Sequence, residues 1–368
     1  MKLSLGALPD ILDKMISDRK RQVLDLTLED IAKQVGVSRS TVSRVVNNQP
    51  YVSTEVRKRV LSTIQSTGFH PNAAARSLAS QRSWMIGLVL PRTSNSFFTD
   101  PYFQHLTQGV AFACNNNNYS LSLFLVGNKE DEEKITPRIS RRGMLDGVLI
   151  QSGQADDILI DRLTKSSVPS VVLGRPFIPE GVSYIDVDNV GAASNATNHL
   201  IQSGYKRIGM ITGINNSTVT IDRTEGYYGA LTNAGREPDD SLIAEGDFSE
   251  NSGYLVMQKL LSAKPDAIFA QSDIMAVGAI RAVQEAGLRV PQDIAFVGFD
   301  DLPLGTLTKV KLTTIRQPIN RFGIKAVDLL IDLIENGTLP ARCVIIDTEL
   351  IIRESCGAKL HNIMETNR

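Results

Sequence analysis

Short apolar runs alternate with helical segments over most of this chain, and this alternation restricts the possible folds more than any other feature. From Trp84 onward, segments with helical spacing of apolar residues separate eight runs of β-forming residues. These runs are WMIGLVLP, YSLSLFLV, LDGVLIQ, PSVVLG, YIDVD, RIGMIT, DAIFA and IAFVGFD. Strands that alternate with helices predict an α/β fold with doubly wound parallel sheets. Because the two halves of the region share this pattern, we expect two lobes, with a ligand cleft between them at the carboxyl ends of the strands.

A different pattern precedes this region, and it predicts a small all-α headpiece. Capping residues and turn glycines divide residues 26–70 into three short helices, the second running from Arg39 to Val46. The residues that mark the helix ends are Thr27, Asp30, Gly36, Ser38, Ser53 and Gly68. Two short helices joined by a glycine-containing turn predict a helix-turn-helix, whose second helix enters the DNA major groove.

The second helix has one apolar and one polar side. Val42 and Val45 can pack against the first helix, which leaves the polar residues facing solvent. These polar residues are Arg39, Ser40, Ser43 and Arg44. Arginine can pair bidentately with guanine, and serine can bond bases or phosphates, so this side can read a DNA sequence.

The charge distribution supports DNA binding by the same segment. The chain has a net charge of −1, but residues 31–82 contain eight Lys and Arg against one Glu, a charge of +7. The rest of the chain is therefore acidic. A basic block joined to an acidic body is typical of a nucleic-acid-binding module, although a solvated basic surface without a partner is the alternative.

The sequence argues against several other classes of protein. Three widely spaced cysteines, Cys114, Cys343 and Cys356, form no CxxC pair, so we expect no disulfide framework and no metal site. No apolar run is long enough to span a membrane, and the charged first 25 residues do not resemble a secretory signal, so we expect a cytoplasmic protein. No nucleotide-binding or hydrolase motif is present, and the four histidines have no ligand spacing, so we expect no enzyme and no cofactor.

A short alanine-rich segment links the two regions. Asn72 can cap a helix that runs through Ala75 and Leu78 to Ala79, but so short a helix is marginal alone and should order mainly on DNA. An ordinary interdomain linker with Leu78 docked on the core is the alternative.

Residues 26–83, with the core TVSRVVN and the hinge PNAAARSL, resemble the headpiece of the lactose-repressor/galactose-repressor family of bacterial transcription regulators. The resemblance implies that Arg39 and Ser40 choose the operator and that Leu78 enters the minor groove from the hinge. It assigns the remaining DNA contacts to Thr27, Ser38, Thr41, Ser43, Arg44, Asn47, Asn72 and Ala75. The partner would be a pseudo-palindromic double-stranded operator bound by a homodimer.

The remaining chain resembles the family's effector domain, which has the shape of a periplasmic sugar-binding protein. The most distinctive stretch is SDIMAVGA…VPQDIAFVGFDD. The resemblance implies that a sugar or sugar derivative binds in the cleft, since Asp, Asn and Arg can bracket vicinal hydroxyls and aromatic rings can cover a sugar ring. It places in the cleft Asn95, Phe97, Phe98, Tyr102, Arg175, Arg223, Ser272, Asp273, Asp300 and Gln317.

For some of these residues, a structural role is the alternative to ligand binding. Phe97 and Phe98 could be core residues, Arg223 could form an interdomain ion pair, and Asp273 could cap its helix. Two positions also depart from the family pattern. Ser272 replaces an asparagine and Ile221 replaces an arginine, which leaves the identity of the sugar open.

The chain is therefore expected to be a DNA-binding transcriptional regulator, a repressor, whose operator affinity depends on a small effector. The alternatives are a transport solute-binding protein and a regulator that uses a purine-type corepressor. We expect an extension at 1–25, the helix-turn-helix domain at 26–70, a hinge at 71–82, the effector and dimerisation domain of two interwoven subdomains at 83–353, and a tail at 354–368. That tail has no leucine heptads for a tetramerising coiled coil, which favours a dimer.

Overall fold

A computed structural model describes residues 26–46, 49–69, 82–90, 93–141, 143–151 and 158–358, without the side chains of residues 94–96, 158 and 307. The described residues up to Arg82 form one unit, which we call the headpiece. Those from Ser83 onward form a second unit, which we call the body.

The headpiece is a three-helix unit. Its helices are α1 (Leu28–Val35), α2 (Arg39–Val46) and α3 (Thr54–Thr67). The predicted capping signals are present, because Thr27 and Asp30 form a reciprocal capping box and Ser53 accepts a hydrogen bond from the Val56 N–H. The helices enclose a small apolar core of Ile31, Ala32, Val35, Val42, Val45, Val60 and Phe69.

The body contains two sheets of six strands, which define a first and a second lobe. In chain order, the first lobe contains β1 (Met85–Leu90), β2 (Ser120–Leu125), β3 (Gly147–Gln151), β4 (Ser170–Leu173), β5 (Tyr184–Val187) and β11 (Cys343–Ile346). The second lobe contains β6 (Ile208–Thr212), β7 (Ile243–Glu245), β8 (Ala267–Ala270), β9 (Ala295–Asp300), β10 (Thr313–Arg316) and β12 (Glu349–Ile351).

The strand order is β11-β5-β4-β3-β1-β2 in the first sheet and β12-β10-β9-β8-β6-β7 in the second. The strand pairs are parallel, except that β12 is antiparallel to β10. In both sheets the order reverses beside the first strand of the lobe, which is the doubly wound topology that the alternation predicts.

Helices cover the faces of both sheets. The first lobe carries α4 (Ser94–Thr99), α5 (Pro101–Asn116), α6 (Lys129–Ile139), α7 (Ile158–Thr164) and α13 (Ile319–Asn336). The second carries α8 (Asn189–Gln202), α9 (Thr218–Asn233), α10 (Glu250–Leu260), α11 (Asp273–Glu285) and α12 (Leu304–Leu307), with 3-10 turns at Asp240–Leu242 and Leu261–Ala263.

The chain crosses between the lobes three times. It enters the second lobe after β5, returns after β10 to form α13, and passes again from β11 to β12. Helix α13 packs on α5 and on the strands of the first sheet, although it follows a strand of the second. The helices approach so closely that a Cβ on Gly109 would lie 2.1 Å from the Asn320 carbonyl oxygen.

Residues beyond Arg353 continue the second lobe. Ser355 is fully buried, and its Oγ donates to the Phe296 carbonyl and accepts from the Thr313 N–H. Cys356 is also buried in this lobe. The packed part of the second lobe therefore extends past the boundary predicted at 353.

Candidate functional site

The recognition helix of the headpiece is fixed by local hydrogen bonds. Gly36 adopts a left-handed conformation, with a φ of 70°, which ends α1 and turns the chain. Ser38 then caps α2, because its Oγ accepts from the Thr41 N–H at 3.1 Å. The guanidinium of Arg59, on α3, donates to the Val35 carbonyl at the end of α1 and so stabilises the turn between α1 and α2.

The polar side of α2 is available to a partner. Arg39, Ser40 and Arg44 are exposed, and Thr41 and Ser43 are half-buried. Val42 and Val45 face the core, as the sequence predicts. The arrangement presents guanidinium and hydroxyl donors on one side of a helix, which is the chemistry needed at base edges and phosphates.

Other predicted DNA contacts are placed differently or lie outside the described residues. The Thr27 hydroxyl is 2.7 Å from the Asp30 carboxylate and belongs to the capping box. The Ser38 Oγ is hydrogen-bonded to the hydroxyls of Ser40 and Thr41. The residues outside the described part of the chain are Asn47, Asn72, Ala75 and Leu78.

The sequence analysis did not single out Tyr51. This tyrosine is 97% exposed and has a positive φ of 71° in the turn before α3. An aromatic residue directly after Pro50 in a polar turn was the available signal. An exposed aromatic ring on a residue with a strained backbone is a further candidate for contact with a partner of the headpiece.

The body contains a cavity at the carboxyl ends of the strands of both sheets, where the topology predicts a ligand site. Its volume of about 110 Å³ is room for several water molecules, so it is larger than a packing defect. The polar lining residues are Asp100, Tyr102, Gln151, Asp186, Asn189, Ser217, Arg223, Ser272, Asp300 and Gln317. The apolar lining comprises Phe103, Leu173, Ile214, Val219, Phe248, Ile274 and Phe322, together with Gly174.

Asp300 is the most constrained residue in this cavity. It ends β9 with a φ of 114°, a conformation that a non-glycine residue holds only when its surroundings impose it. Its carboxylate accepts a hydrogen bond of 2.6 Å from the Gln317 amide. Burial raises the pKa of Asp300 to about 7, while the Arg223 guanidinium and Gln317 act in the opposite direction.

Arg223 faces this carboxylate from α9. Its Nε donates to the Asn189 side-chain oxygen at 2.9 Å, and its Nη1 donates to the Gln271 carbonyl. The guanidinium also lies 3.5 Å from the ring centroid of Phe299, which is a cation-π contact. Burial lowers the pKa of Arg223, and the nearby carboxylates, Asp300 foremost, oppose this shift.

Asp186 and Asn189 are site residues that the sequence analysis missed. The Asp186 carboxylate accepts from the backbone N–H groups of Arg175 and Val187 and from the Asn189 amide. Burial raises the pKa of Asp186 to about 6. The run YIDVD, already predicted as a strand, and the asparagine that follows it were the available signal, because these polar residues come at the end of β5.

Several predicted effector residues line the cavity, and others do not. Those on its wall are Tyr102, Arg223, Ser272, Asp300 and Gln317. Burial raises the pKa of the Tyr102 hydroxyl, so it stays protonated and can donate. Ser272 has a second role, because its Oγ caps α11 by accepting from the Met275 N–H.

Asp273 was predicted to lie in the cleft, but it is not among the residues that line the cavity. Its carboxylate is fully buried away from the cavity wall and accepts from the Leu302 N–H at 2.8 Å and the Thr314 hydroxyl at 2.6 Å. Asp273 therefore ties the start of α11 to the loop after β9 and to β10. The capping role considered for it belongs to Ser272.

Phe97 and Phe98 were also predicted to lie in the cleft, and the structure places both elsewhere. Phe97 is buried in the core of the first lobe, and Phe98 is 68% exposed, so neither ring lies on the wall of this cavity. They contact each other edge to face. The side chain of Asn95 lies outside the described residues.

Arg175 joins the two lobes instead of lining the cavity. It follows β4 in the first lobe, and its Nε and Nη2 donate to both carboxylate oxygens of Asp222 on α9, at 3.0 and 2.5 Å. The Thr218 hydroxyl, one turn earlier on α9, donates to the Arg175 carbonyl. The bidentate hydrogen bond to Asp222 raises the pKa of Arg175.

The described residues contain no cluster of His, Cys, Asp and Glu that could hold a metal ion. No helix in that part of the chain is long and apolar enough to span a bilayer.

The fold and the two sites define a DNA-binding protein with a ligand-binding body. Sequence profiles of two families match the chain, the "Bacterial regulatory proteins, lacI family" at residues 27–72 and the "Periplasmic binding protein-like domain" at residues 197–356. A curated relative, the HTH-type transcriptional regulator CelR of Thermobifida fusca, is 36% identical over 333 residues, which cover 89% of this chain and 98% of the relative.

Solved structures agree with this assignment. A complex of the transcriptional regulator CelR with cellobiose superposes with a TM-score of 0.72 at 34% identity, covering 90% of this chain and 99% of the other. The lac repressor dimer bound to operator and the anti-inducer ONPF superposes with a TM-score of 0.74 at 26% identity, with the same coverage. The chain belongs to the lacI family of bacterial regulatory proteins and is a transcriptional regulator. Its relatives are regulators and not enzymes, so this membership confirms the predicted family, fold class and lack of enzymatic function.

Proposed function

We propose that the protein works in the cytoplasm as a homodimer that represses transcription from a pseudo-palindromic operator, and that a small polyol bound in the cavity controls its operator affinity. The observation that carries the effector half is the group formed by Asp300, Arg223 and Gln317. The backbone of Asp300 is strained, its carboxylate accepts from the Gln317 amide, and the buried Arg223 guanidinium interacts with it electrostatically. Such a group can bracket neighbouring hydroxyls from two sides.

The DNA half of the proposal assigns sequence reading to α2. Arg39 and Ser40 are exposed at its first turn, which is the part of a recognition helix that reaches base edges. Arg44 is exposed one turn later and can serve a base or a phosphate. The solved structure of a lac repressor dimer on its operator supports the use of two headpieces on two half-sites.

The effector half assigns ligand binding to both lobes. Asp186 and Gln151 come from the first sheet, whereas Asp300 and Gln317 come from the second. A ligand that touches both sets binds best at one angle between the lobes. It can therefore shift the population of DNA-competent dimers, but only by its difference in affinity for the two states.

The polyol assignment rests on the mixed wall of the cavity. Rings of Tyr102, Phe103, Phe248 and Phe322 lie beside carboxylates and amides, which suits the apolar faces and polar edges of a sugar ring. The solved CelR structure with cellobiose supports a saccharide as the ligand class.

The test combines operator selection with a ligand panel. The full chain would select its DNA site from a random library, and fluorescence anisotropy would measure affinity for that site with each of a set of saccharides and purines. We expect one saccharide to change operator affinity by at least tenfold. Arg39→Ala should weaken binding to the selected site and relax preference at one base pair while sugar binding persists. Asp300→Ala should weaken sugar binding while preference for the selected site persists. A response to purines alone would replace the polyol with a purine-type corepressor, and equal affinity for all DNA sequences would contradict the operator assignment.

A further inference from the structure

The cavity contains more negative than positive side chains. Among its described lining residues, Asp100, Asp186 and Asp300 carry carboxylates, and Arg223 is the cation. Asp186 and Asp300 are less than a tenth exposed, so their charges act at short range in a poorly solvated site. At pH 8, above the raised pKa values of both groups, the wall of the cavity is anionic.

Arg223 is already engaged by the protein. Two of its nitrogens donate to Asn189 and to the Gln271 carbonyl, and its Cζ lies 3.5 Å from the Phe299 ring centroid. A phosphate or carboxylate is best held by a guanidinium that offers two parallel N–H groups. Because Nε and one Nη1 hydrogen are used, Arg223 keeps three N–H groups for a ligand, but the parallel pair that includes Nε is not free to hold an anion.

Gln151 gives this wall a hydrogen-bond acceptor without a protein donor among the described residues. Gln151 ends β3, and its Oε1 is buried without a hydrogen-bond partner among the described residues. A buried acceptor without a donor is unfavourable, so the Gln151 oxygen favours a ligand that donates to it. The Asp300 carboxylate, which accepts from Gln317 through Oδ1, adds a further acceptor. Hydroxyl and ammonium groups supply donors, whereas a phosphate dianion or a carboxylate supplies none.

One feature acts in the opposite direction. The N-terminus of α9, at Ser217, also borders the cavity, and a helix N-terminus attracts anions. Its effective charge is about half a unit, however, and this offsets only part of the surrounding carboxylates.

We infer that the effector carries no negative charge and presents several hydrogen-bond donors, so that the site takes an uncharged saccharide or an amino sugar and rejects the phosphorylated or carboxylated form of the same sugar. This inference rests on the proposed polyol effector and narrows it to one charge class. The repulsion between one added negative charge and the wall predicts that the anionic form binds at least about 30-fold more weakly.

The experiment compares matched pairs of sugars on the full-length protein. Isothermal titration calorimetry at pH 8 would measure dissociation constants for cellobiose and cellobionate, for glucose and glucose 6-phosphate, and for glucosamine. We expect a neutral member or glucosamine to bind and its anionic counterpart to bind at least about 30-fold more weakly. Equal or tighter binding of an anionic member would overturn the inference and leave the polyol effector intact. If no sugar in either form binds while operator binding persists, the polyol effector itself is wrong, and the inference is overturned with it.

Variants of the cavity carboxylates test whether these groups cause the weaker binding of anionic sugars. Asp300→Asn and, separately, Asp186→Asn each remove one negative charge, so each should narrow the gap between a neutral sugar and its anionic partner at least threefold. Asp328→Asn is the matched control, because it changes the net charge equally on α13 and does not line the cavity. It should leave the gap unchanged. Circular dichroism would identify a variant that does not fold. A gap that the two folded cavity variants leave unaltered would show that the cavity carboxylates do not set the charge preference.

Discussion

Removal of the ion pair between Arg175 and Asp222 should loosen the two lobes from each other. The pair is bidentate and joins the end of β4 in the first lobe to α9 in the second. A pair of unit charges 4 Å apart attracts by about 4 kcal/mol at an effective dielectric constant of 20. Desolvation of the two groups offsets part of this attraction. The Arg175 side chain is 34% exposed and that of Asp222 is 10% exposed, so solvent screens the pair further.

We therefore expect a net contribution of about 1–2 kcal/mol, between the values typical of exposed and fully buried pairs. For a body of this size, a loss of this magnitude lowers the melting temperature by roughly 2–6 °C. The chain contains a single tryptophan, Trp84, which packs against the core of the first lobe, so its fluorescence can follow the melting of that lobe.

The assay is a double-mutant cycle with Arg175→Met, Asp222→Asn and the double variant. Each single variant should lose most of the contribution, and the double variant should lose little more than either, because the same interaction is removed in all three. Lys325→Met is the control, since it breaks an exposed ion pair with Asp328 within one helix and should shift the melting temperature by less than about 1 °C. Losses that simply add in the double variant would refute the reasoning, since they would show that the two side chains contribute independently.

Three further predictions concern other parts of the molecule. Burial raises the pKa of Asp300 to about 7, so the contribution of this group to the free energy of unfolding falls as the pH rises from 4 to 7. The melting temperature of Asp300→Asn, measured relative to that of the native chain, should therefore be higher at pH 8 than at pH 5. An equal difference at both pH values would contradict this. Arg39→Ala should weaken operator binding by about 1–3 kcal/mol and relax preference at one base pair, as measured by anisotropy with single-base variants. Equal weakening on every sequence would make Arg39 a phosphate contact. Gly109→Ala places a Cβ within 2.1 Å of the Asn320 carbonyl, so α5 and α13 must move apart and thermal melting should show a loss of about 2 kcal/mol or more; an unchanged melting temperature would refute the close contact.

Much of the fold follows from local sequence signals. The eight apolar runs all contain strands, and the helix ends at Gly36, Ser53 and Gly68 lie where the capping residues place them. The strands that were not predicted include β7, β11 and β12, which are short and partly exposed, so their sequences carry no long apolar run. The assignment of α13 to the first lobe depends on long-range packing and has no local signal.

The cleft residues were harder to predict for a different reason. Asp273 and Asp300 are both acidic residues at the carboxyl ends of strands in the second lobe, but one satisfies Leu302 and Thr314 while the other faces the cavity. Residue type and spacing cannot separate these roles, because the direction of a side chain depends on the neighbouring strand. Arg175 was misplaced for the same reason, since its partner Asp222 lies on a distant helix of the other lobe.

The triple passage of the chain between the lobes also limits how this protein can be cut or recombined. The first sheet needs β11 and the first lobe needs α13, yet both come after β10 of the second sheet. No contiguous fragment therefore contains the whole first lobe without most of the second, and a fragment with the whole second lobe also carries α13 and β11 of the first. We expect the body to fold as an all-or-none unit during synthesis, and chimaeras between relatives should tolerate exchange of the headpiece far better than exchange of half a body.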